Sequence, residues 1–180
     1  GATLPFAATT HKFTQEVRLT SNGNGPLRWL VGGFHTDEDS LLDQQIVGIG
    51  LDGKPFAPFA PALGFVIPTS YREDAAFGTL AYDITDRFEL SGGLRYSHNR
   101  QRFDETVSGP LAPILGIGGT FPTVKSSENV VTYSASAKYS VSDDANLYAR
   151  AASGYRPGGP NLILPGIANR FKADRLNNYE

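Results

Sequence analysis

The residues best placed to do chemistry lie between His35 and Lys54. Gly48, Gly50 and Gly53 have the G-x-G-x-x-G spacing of a dinucleotide-binding turn, and Gly48 to Lys54 (GIGLDGK) comes close to a phosphate loop. Either would need a strand before it and a helix after it, so that the helix N-terminus could receive phosphate. Pro55, Pro58 and Pro61 follow instead, and Pro55 stands where a phosphate loop carries Ser or Thr. A surface loop is the better account. Just upstream, Asp37, Glu38, Asp39 and Asp43 offer carboxylates to a hard cation such as calcium, but the twelve-residue calcium-loop pattern is not met, and a solvated acidic loop is expected. His11, His35 and His98 stand singly, with no second histidine at metal-ligand spacing. There is no Gly-x-Ser-x-Gly elbow and no Ser, His and Asp set whose assembly the sequence compels. Neither enzyme activity nor a metal or other cofactor is expected.

Composition narrows the class of protein. The 180 residues include no cysteine, which excludes a disulfide framework, a thiolate metal site and a cysteine nucleophile together. A formal net charge of −2 gives no reason to expect nucleic acid as a partner. Hydrophobic residues make up 40%, with 20 glycines and 12 prolines, which suits many strands and frequent turns better than packed helices. No run of about 18 apolar residues offers a spanning helix, but a barrel strand needs only about 9 to 11 residues with alternate positions apolar. Gly1 to Thr10 lacks the features of a signal peptide, so the signal of an exported protein would lie outside this sequence.

The elements that must position any site are organised around Ala81 to Tyr96 (AYDITDRFELSGGLRY), which reads as a β-hairpin turning at Thr85, Asp86 and Arg87. On its second arm Phe88, Leu90, Gly92, Leu94 and Tyr96 share one face, and Glu89, Ser91, Gly93, Arg95 and Ser97 share the other. The design returns 57 residues later. Tyr82 maps onto Tyr139, Ile84 onto Val141, Asp86 onto Asp143 and Leu90 onto Leu147 without a gap. Leading into that second turn, Val131, Tyr133, Ala135, Ala137, Tyr139 and Val141 alternate with Thr132, Ser134, Ser136, Lys138 and Ser140.

Taken in order, Gly1 to His11 reads as the tail of a loop, and alternation starts at Phe13, with Phe13, Gln15, Val17 and Leu19 against Thr14, Glu16, Arg18 and Thr20. SNGNGP (Ser21 to Pro26) makes a turn. The return strand, Leu27 to about Thr36, is apolar on both faces, so its outward face stays open. Proline-rich connections are expected at Asp37 to about Arg72, about Asp104 to Ser127, and Pro157 to near Asp174, with a last strand starting near Leu176. Tight turns therefore fall at one end of the sheet and long loops at the other. That is the asymmetry of outer-membrane barrels, whose strands are apolar outside and polar inside. The expected fold is all-β: an antiparallel up-and-down transmembrane β-barrel segment of about six to seven strands, not closed alone. Its polar face, with Glu16, Arg18, Glu89, Arg95, Ser134, Ser136, Lys138, Tyr148, Arg150 and Arg156, would line the lumen. A soluble β-sandwich or lipocalin-like domain is the alternative, with the apolar faces as core.

Four stretches carry a resemblance: Phe13 to Leu19 (FTQEVRL), Tyr82 to Tyr96, Leu147 to Asn161 (LYARAASGYRPGGPN) and Arg175 to Glu180 (RLNNYE). They resemble, in order, the strand and turn motifs of TonB-dependent outer-membrane receptors, with Arg156, Pro157 and Gly158 on the family's Gly-Phe/Tyr-Arg-Pro-Gly segment and Asn178, Tyr179 and Glu180 on its Asn-Tyr-Glu strand start. The resemblance implies uptake of a scarce nutrient, such as a ferric siderophore, cobalamin or a saccharide, across the bacterial outer membrane. It implies three partners: outer-membrane lipid, a small-molecule or metal-chelate substrate, and the TonB complex acting through a plug domain. Neither plug nor coupling box is in this sequence. The family's barrel has about 22 strands, so residues 1–180 are expected to be a fragment of one barrel domain with two unpaired edges. A passive porin-like channel is the alternative within the membrane.

Overall fold

Strict alternation of apolar and polar side chains becomes extended strand over most of the chain, because a period of two sorts each set onto its own face of a pleated sheet. The computed structural model describes residues 1–23, 25–163 and 166–180. Its long strands are β2 (Phe6–Thr20), β3 (Leu27–Gly48), β4 (Leu63–Thr85), β5 (Phe88–Phe103), β8 (Val124–Ser142) and β9 (Ala145–Arg156), followed by β12 (Asp174–Tyr179). Short strands fill in between: β1 (Ala2–Thr3), β6 (Thr106–Ser108), β7 (Gly119–Thr120), and β10 (Gly159–Pro160) with β11 (Arg170–Phe171) as a separate pair. Each long strand pairs antiparallel with the next, in the order β2, β3, β4, β5, β8, β9, β12, and the described part of the sheet does not close.

Asp86–Arg87 and Asp143–Asp144 are two-residue turns, as the repeat predicts, and each is preceded by a bulge, at Asp83/Thr85 and at Ser140/Ser142. Those two bulges are themselves 57 residues apart. The first turn closes with Ser21 N–H donating to Trp29 O at 2.9 Å and Trp29 N–H to Ser21 Oγ at 3.0 Å. Asn24 of SNGNGP lies outside the described residues, as do Leu164 and Pro165 of the third connection.

At the other end three boundaries differ from expectation. Gly1 to His11 is mostly strand, Asp37 to Arg72 is strand except for residues 49–62, and β8 begins at Val124. Proline explains how. Pro5 accepts from Gln45 N–H at 2.9 Å, and Pro68 accepts from Asp104 N–H at 3.0 Å, but neither can donate in return. The ladder is therefore interrupted between β1 and β2, and between β5 and β6, while the pairing register runs on unchanged: Ala2↔Gly48 with Phe6↔Gln44, and Thr69↔Phe103 with Val66↔Thr106. The acidic cluster is thus on β3 and in pairs, with Asp37 bound to Arg72 and Glu38 3.1 Å from Lys12. GIGLDGK ends β3 in a tight turn with Gly53 at φ 76°, and no helix follows. β12 starts at Asp174, two residues before Leu176.

The register also settles the face of β3. Trp29, Val31 and Gly33 stand opposite Leu80, Gly78 and Ala76 on β4, and Val31 and Gly33 opposite Leu19 and Val17 on β2, so they belong to the apolar set. Leu30, Gly32 and Phe34 belong to the other. Leu19, Val31, Leu80, Leu94, Val131 and Leu147 are all exposed in this set. From Val131 to Val141, at about 3.3 Å per residue and tilted roughly 40°, the band is roughly 25 Å tall. The opposite face is the one the sheet curls toward: Thr36, Ile67, Ser97, Asn99, Phe103, Val124 and Val130 are buried and all lie on it.

Gly32 fits this curl. A Cβ there would sit 2.4 Å from a Phe77 ring atom and 2.8 Å from the Val17 carbonyl oxygen, so the ring of a neighbouring strand occupies the space that a side chain would need. Gly32→Val is expected to destabilise the fold by about 1–3 kcal/mol. Gly33→Ala, where the nearest atom is 3.9 Å away, should stay within about 0.5 kcal/mol. Urea unfolding in detergent micelles checks both.

Candidate functional site

The curled face is layered from the turn end to the loop end. Lowest, Arg28 on β3 spans two strands, donating to both oxygens of Asp83 on β4 (Nη2 to Oδ1 2.9 Å) and to Glu89 on β5 at 2.5 Å. Glu89 stands opposite Lys138, and Lys138 opposite Tyr148; one row up, Ser91 and Ser136 share a hydrogen bond at 2.6 Å, with Arg150 next in line.

Above them lies a cation–π stack. The Arg95 guanidinium is 4.9 Å from the Phe34 ring and 5.7 Å from that of Phe77, and the guanidinium of Arg18, which is paired to Glu16, is 5.9 Å from Phe77. Arg95 also donates to Glu73 at 2.7 Å and to Ser97 at 3.0 Å, and Tyr71 donates to Glu73 at 2.8 Å. Removing Arg95 would take the paired cation from a Glu73 side chain that is only 18% exposed.

The third layer holds a loop. Asn99, fully buried, donates to the Tyr155 hydroxyl at 2.9 Å, and that hydroxyl donates to Glu128. Glu128 in turn accepts from Gly158 N–H at 3.2 Å, while Gln101 donates to Gly158 O at 2.7 Å. The Arg-Pro-Gly-Gly segment needs its glycines here: a Cβ on Gly158 would meet Ala173 N at 2.6 Å and Phe171 O at 2.7 Å. The chain after β9 thus folds back against β5 and β8.

Outermost is a cleft of about 450 Å³ lined by Leu42, Phe65, Ile67, Phe103, Leu162 and polar neighbours such as Gln44 and Asn161, with no charged residue among its lining. Beside it Glu105 is fully buried, accepting from Ile163 N–H at 2.8 Å, and its second oxygen has no partner among the described residues. No group of three or more His, Asp or Glu side chains that could hold a metal ion occurs among the described residues. What the face offers is graded binding: apolar contact at the mouth, hydrogen bonds below it, then charge.

Of the polar residues singled out by alternation, Glu16, Arg18, Glu89, Arg95, Lys138, Tyr148 and Arg150 share this face. Arg156 stands apart, at the outer end of β9 in an ion pair with Asp174. Arg28, Phe34, Tyr71, Glu73, Phe77, Asn99, Glu128 and Tyr155 complete the layers and escape sequence reading. Alternation carried upward through Tyr71, Glu73, Asn99 and Glu128 would have found some of them; Tyr155, near the end of β9, has the parity of Leu147 and would not have been found that way.

The second loop is tied down by a carboxylate outside the apolar band. Arg102 donates to Asp104 at 2.7 Å and the Thr123 hydroxyl donates to it as well, which holds the Asp104 carboxyl below the usual aspartate range. A depressed pKa stabilises the fold in full above the ordinary value of about 3.9, and that contribution is lost as pH falls through the lower folded value. Amide protection over residues 104–123 should therefore decline below about pH 4, and in Asp104→Asn it should be lower already at neutral pH, without that acid step. Hydrogen exchange across this pH range checks it.

With this geometry in view, the family model described as TonB dependent receptor-like, beta-barrel matches residues 3–180. The pesticin receptor of Yersinia pestis is 34% identical over 128 residues, covering 70% of this chain and 18% of that receptor. The crystal structure of the ferric yersiniabactin uptake receptor FyuA from Yersinia pestis superposes with a TM-score of 0.81 at 26% identity, over 99% of this chain and 26% of that one. The ferric-catecholate import receptor Fiu from Escherichia coli K12, at TM-score 0.66 and 19% identity over 96% of this chain and 28% of its own, shares the fold. This chain thus spans less than a third of the length of each.

Proposed function

We propose that this chain, which belongs to the TonB dependent receptor-like β-barrel family, forms part of the wall and three outer loops of a receptor that takes up a ferric siderophore. As a member of that family it is a piece of a β-barrel of the bacterial outer membrane. In this reading the apolar band meets lipid. The curled face lines the lumen with Glu16, Arg18, Glu89, Arg95, Lys138, Tyr148 and Arg150, and Arg156 stands at the outer mouth. Residues 1–180 are then one stretch of a longer barrel domain, and the energised step runs through a plug and the TonB complex outside this chain.

The observation that carries the reading is the grading of the curled face, from an uncharged apolar cleft at the loop end to paired charges at the turn end. An organic chelator wrapped around iron presents apolar surface to such a cleft, whereas a saccharide calls for a polar lining. The loop after β9, pinned to the inner wall through Gly158, favours a gated receptor over a passive porin-like channel. The work assigned to these residues is binding and passage rather than catalysis.

Two measurements test this. In the complete receptor Leu80→Arg, at the middle of the apolar band, is expected to cost about 2–4 kcal/mol of folding stability in lipid, while Thr79→Arg, one residue along and on the other face, costs much less. Equal costs would show that the faces are misassigned. For function, Leu42→Asp with Phe103→Asp should weaken ferric-siderophore binding to whole cells at least about tenfold by placing charge in the cleft, at unchanged outer-membrane abundance; wild-type binding would remove the cleft from the substrate path.

A further inference from the structure

The strands that build the cleft at the loop end keep charge out of it. Leu42, Ile67 and Phe103 give it apolar walls, and its polar lining consists of hydroxyls and amides: Thr10 and Ser40, bonded to each other at 2.9 Å, with Thr69, Gln44 and Asn161. Charged residues are not scarce in these stretches of strand. Arg102 stands between Gln101 and Phe103, and Asp39 between Glu38 and Ser40, but both share a row with Ser70 on the outer face. Arg72 and Arg100, one row nearer the apolar band, are on that face too.

The inner face around the cleft has little positive charge to offer an anion. Beyond the row of Arg18 and Arg95, the long strands β2, β3, β4, β5 and β8 place one cation on this face, Lys12, and it lies 3.1 Å from Glu38. Arg95 is itself taken by Glu73. Glu128 is bonded to the Tyr155 hydroxyl and Gly158 N–H, and Glu105 to Ile163 N–H; neither has a cation partner among the described residues. On this part of the face the groups left without an ion pair are carboxyls, not cations.

We infer that the ferric chelate this cleft takes carries no net negative charge. The inference rests on the ferric-siderophore reading above and narrows it. Three catecholates bring six negative oxygens to ferric iron and leave a trianion, whereas three hydroxamates bring three and leave a neutral complex. A trianion entering the cleft exchanges hydration for leucine, isoleucine and phenylalanine side chains and meets no free cation there, so its burial is uncompensated. A neutral complex loses less hydration, and its carbonyl and amide groups match the hydroxyls and amides of the lining. Selection then works by exclusion as well as attraction, because the strands carry their arginines past the cleft on the other face.

The test uses the complete receptor in outer-membrane fractions and two probes loaded with radioactive iron. Both are built on one uncharged tripodal scaffold, one bearing three hydroxamates and the other three catecholates, so that charge differs while size hardly does. Affinity for the neutral complex is expected to exceed that for the trianion at least about tenfold. In Thr10→Lys/Gln44→Lys, which adds two cations to the lining, that ratio should fall at least about threefold because the trianion gains. A parent receptor that holds the trianion as well as the neutral complex, or better, would overturn the proposal. An unchanged ratio in the double variant would also overturn it, since the cleft would then not be what discriminates. If the double variant does not reach the membrane, Gln44→Lys alone is read in the same way. A membrane-borne parent receptor that retains neither probe would instead count against the ferric-siderophore reading.

Discussion

What is described for the two faces depends on one constraint, that side-chain parity survives across the apolar band of every strand. A slip of one residue in any pair would carry Leu80 or Val131 to the inner face and Arg18 or Arg95 to the outer one, where a guanidinium at mid-membrane costs about 2–4 kcal/mol. The register shows how parity is protected. Pro5 and Pro68 each delete a donor without adding or removing a residue from the count, so β1 continues β2, and β6 continues β5, in the same phase. The bulges at Asp83/Thr85 and Ser140/Ser142 do break phase, but they sit beside the two tight turns, where little strand remains to be misplaced.

Given fixed parity, the inner face is assembled by matching volumes and charges across the strands. Gly32 leaves room for Phe77, and Phe77 then lies within reach of both Arg18 and Arg95. Gly93 is similarly crowded, with Thr79 2.9 Å and Ser134 3.0 Å from where a Cβ would lie. The charges are placed so that few are solitary: Arg28 joins Asp83 and Glu89, and Arg95 joins Glu73. Pairs as open as Arg28 with Asp83 and Glu89 contribute only about 0–1 kcal/mol each, so they set geometry more than stability. Glu105 departs from the pattern, with a buried carboxyl group whose only partner among the described residues is a backbone N–H.

The repeat, the two-residue turns and the sorting of faces between Phe88 and Tyr96 were legible in the sequence because each depends on neighbours along the chain. Strand ends were not. Within the apolar band alternation is strict, but from His35 and Asp74 upward both faces carry polar and charged side chains, and the ladder tolerates prolines and charges that otherwise mark loops. The face of β3 was ambiguous for a different reason. Leu30 and Phe34 are apolar yet point inward, and what holds Phe34 there is Arg95, two strands away. The network through Asn99, Tyr155 and Glu128 joins β5, β9 and β8, and Tyr155, near the end of β9, has the parity of the apolar-set Leu147, so no local pattern announces it.

The two edges of the sheet make different demands on what adjoins them. All fifteen residues of β2 are exposed, and its outer row of N–H and C=O groups has no partner strand among the described residues. In hydrocarbon each unpaired group would cost several kcal/mol, on the order of the whole stability of a domain once summed along a strand. β12 ends the other side with Arg150 and Glu180 exchanging both backbone hydrogen bonds, at 3.0 and 2.9 Å, so the ladder is fully formed up to its last residue. The curl toward the inner face, by contrast, is already built into contacts such as Arg95–Phe34 and Asn99–Tyr155 that reach over an intervening strand. Curvature is therefore local to this segment, and closure is not: the bilayer can accept these strands only when others pair with both edges.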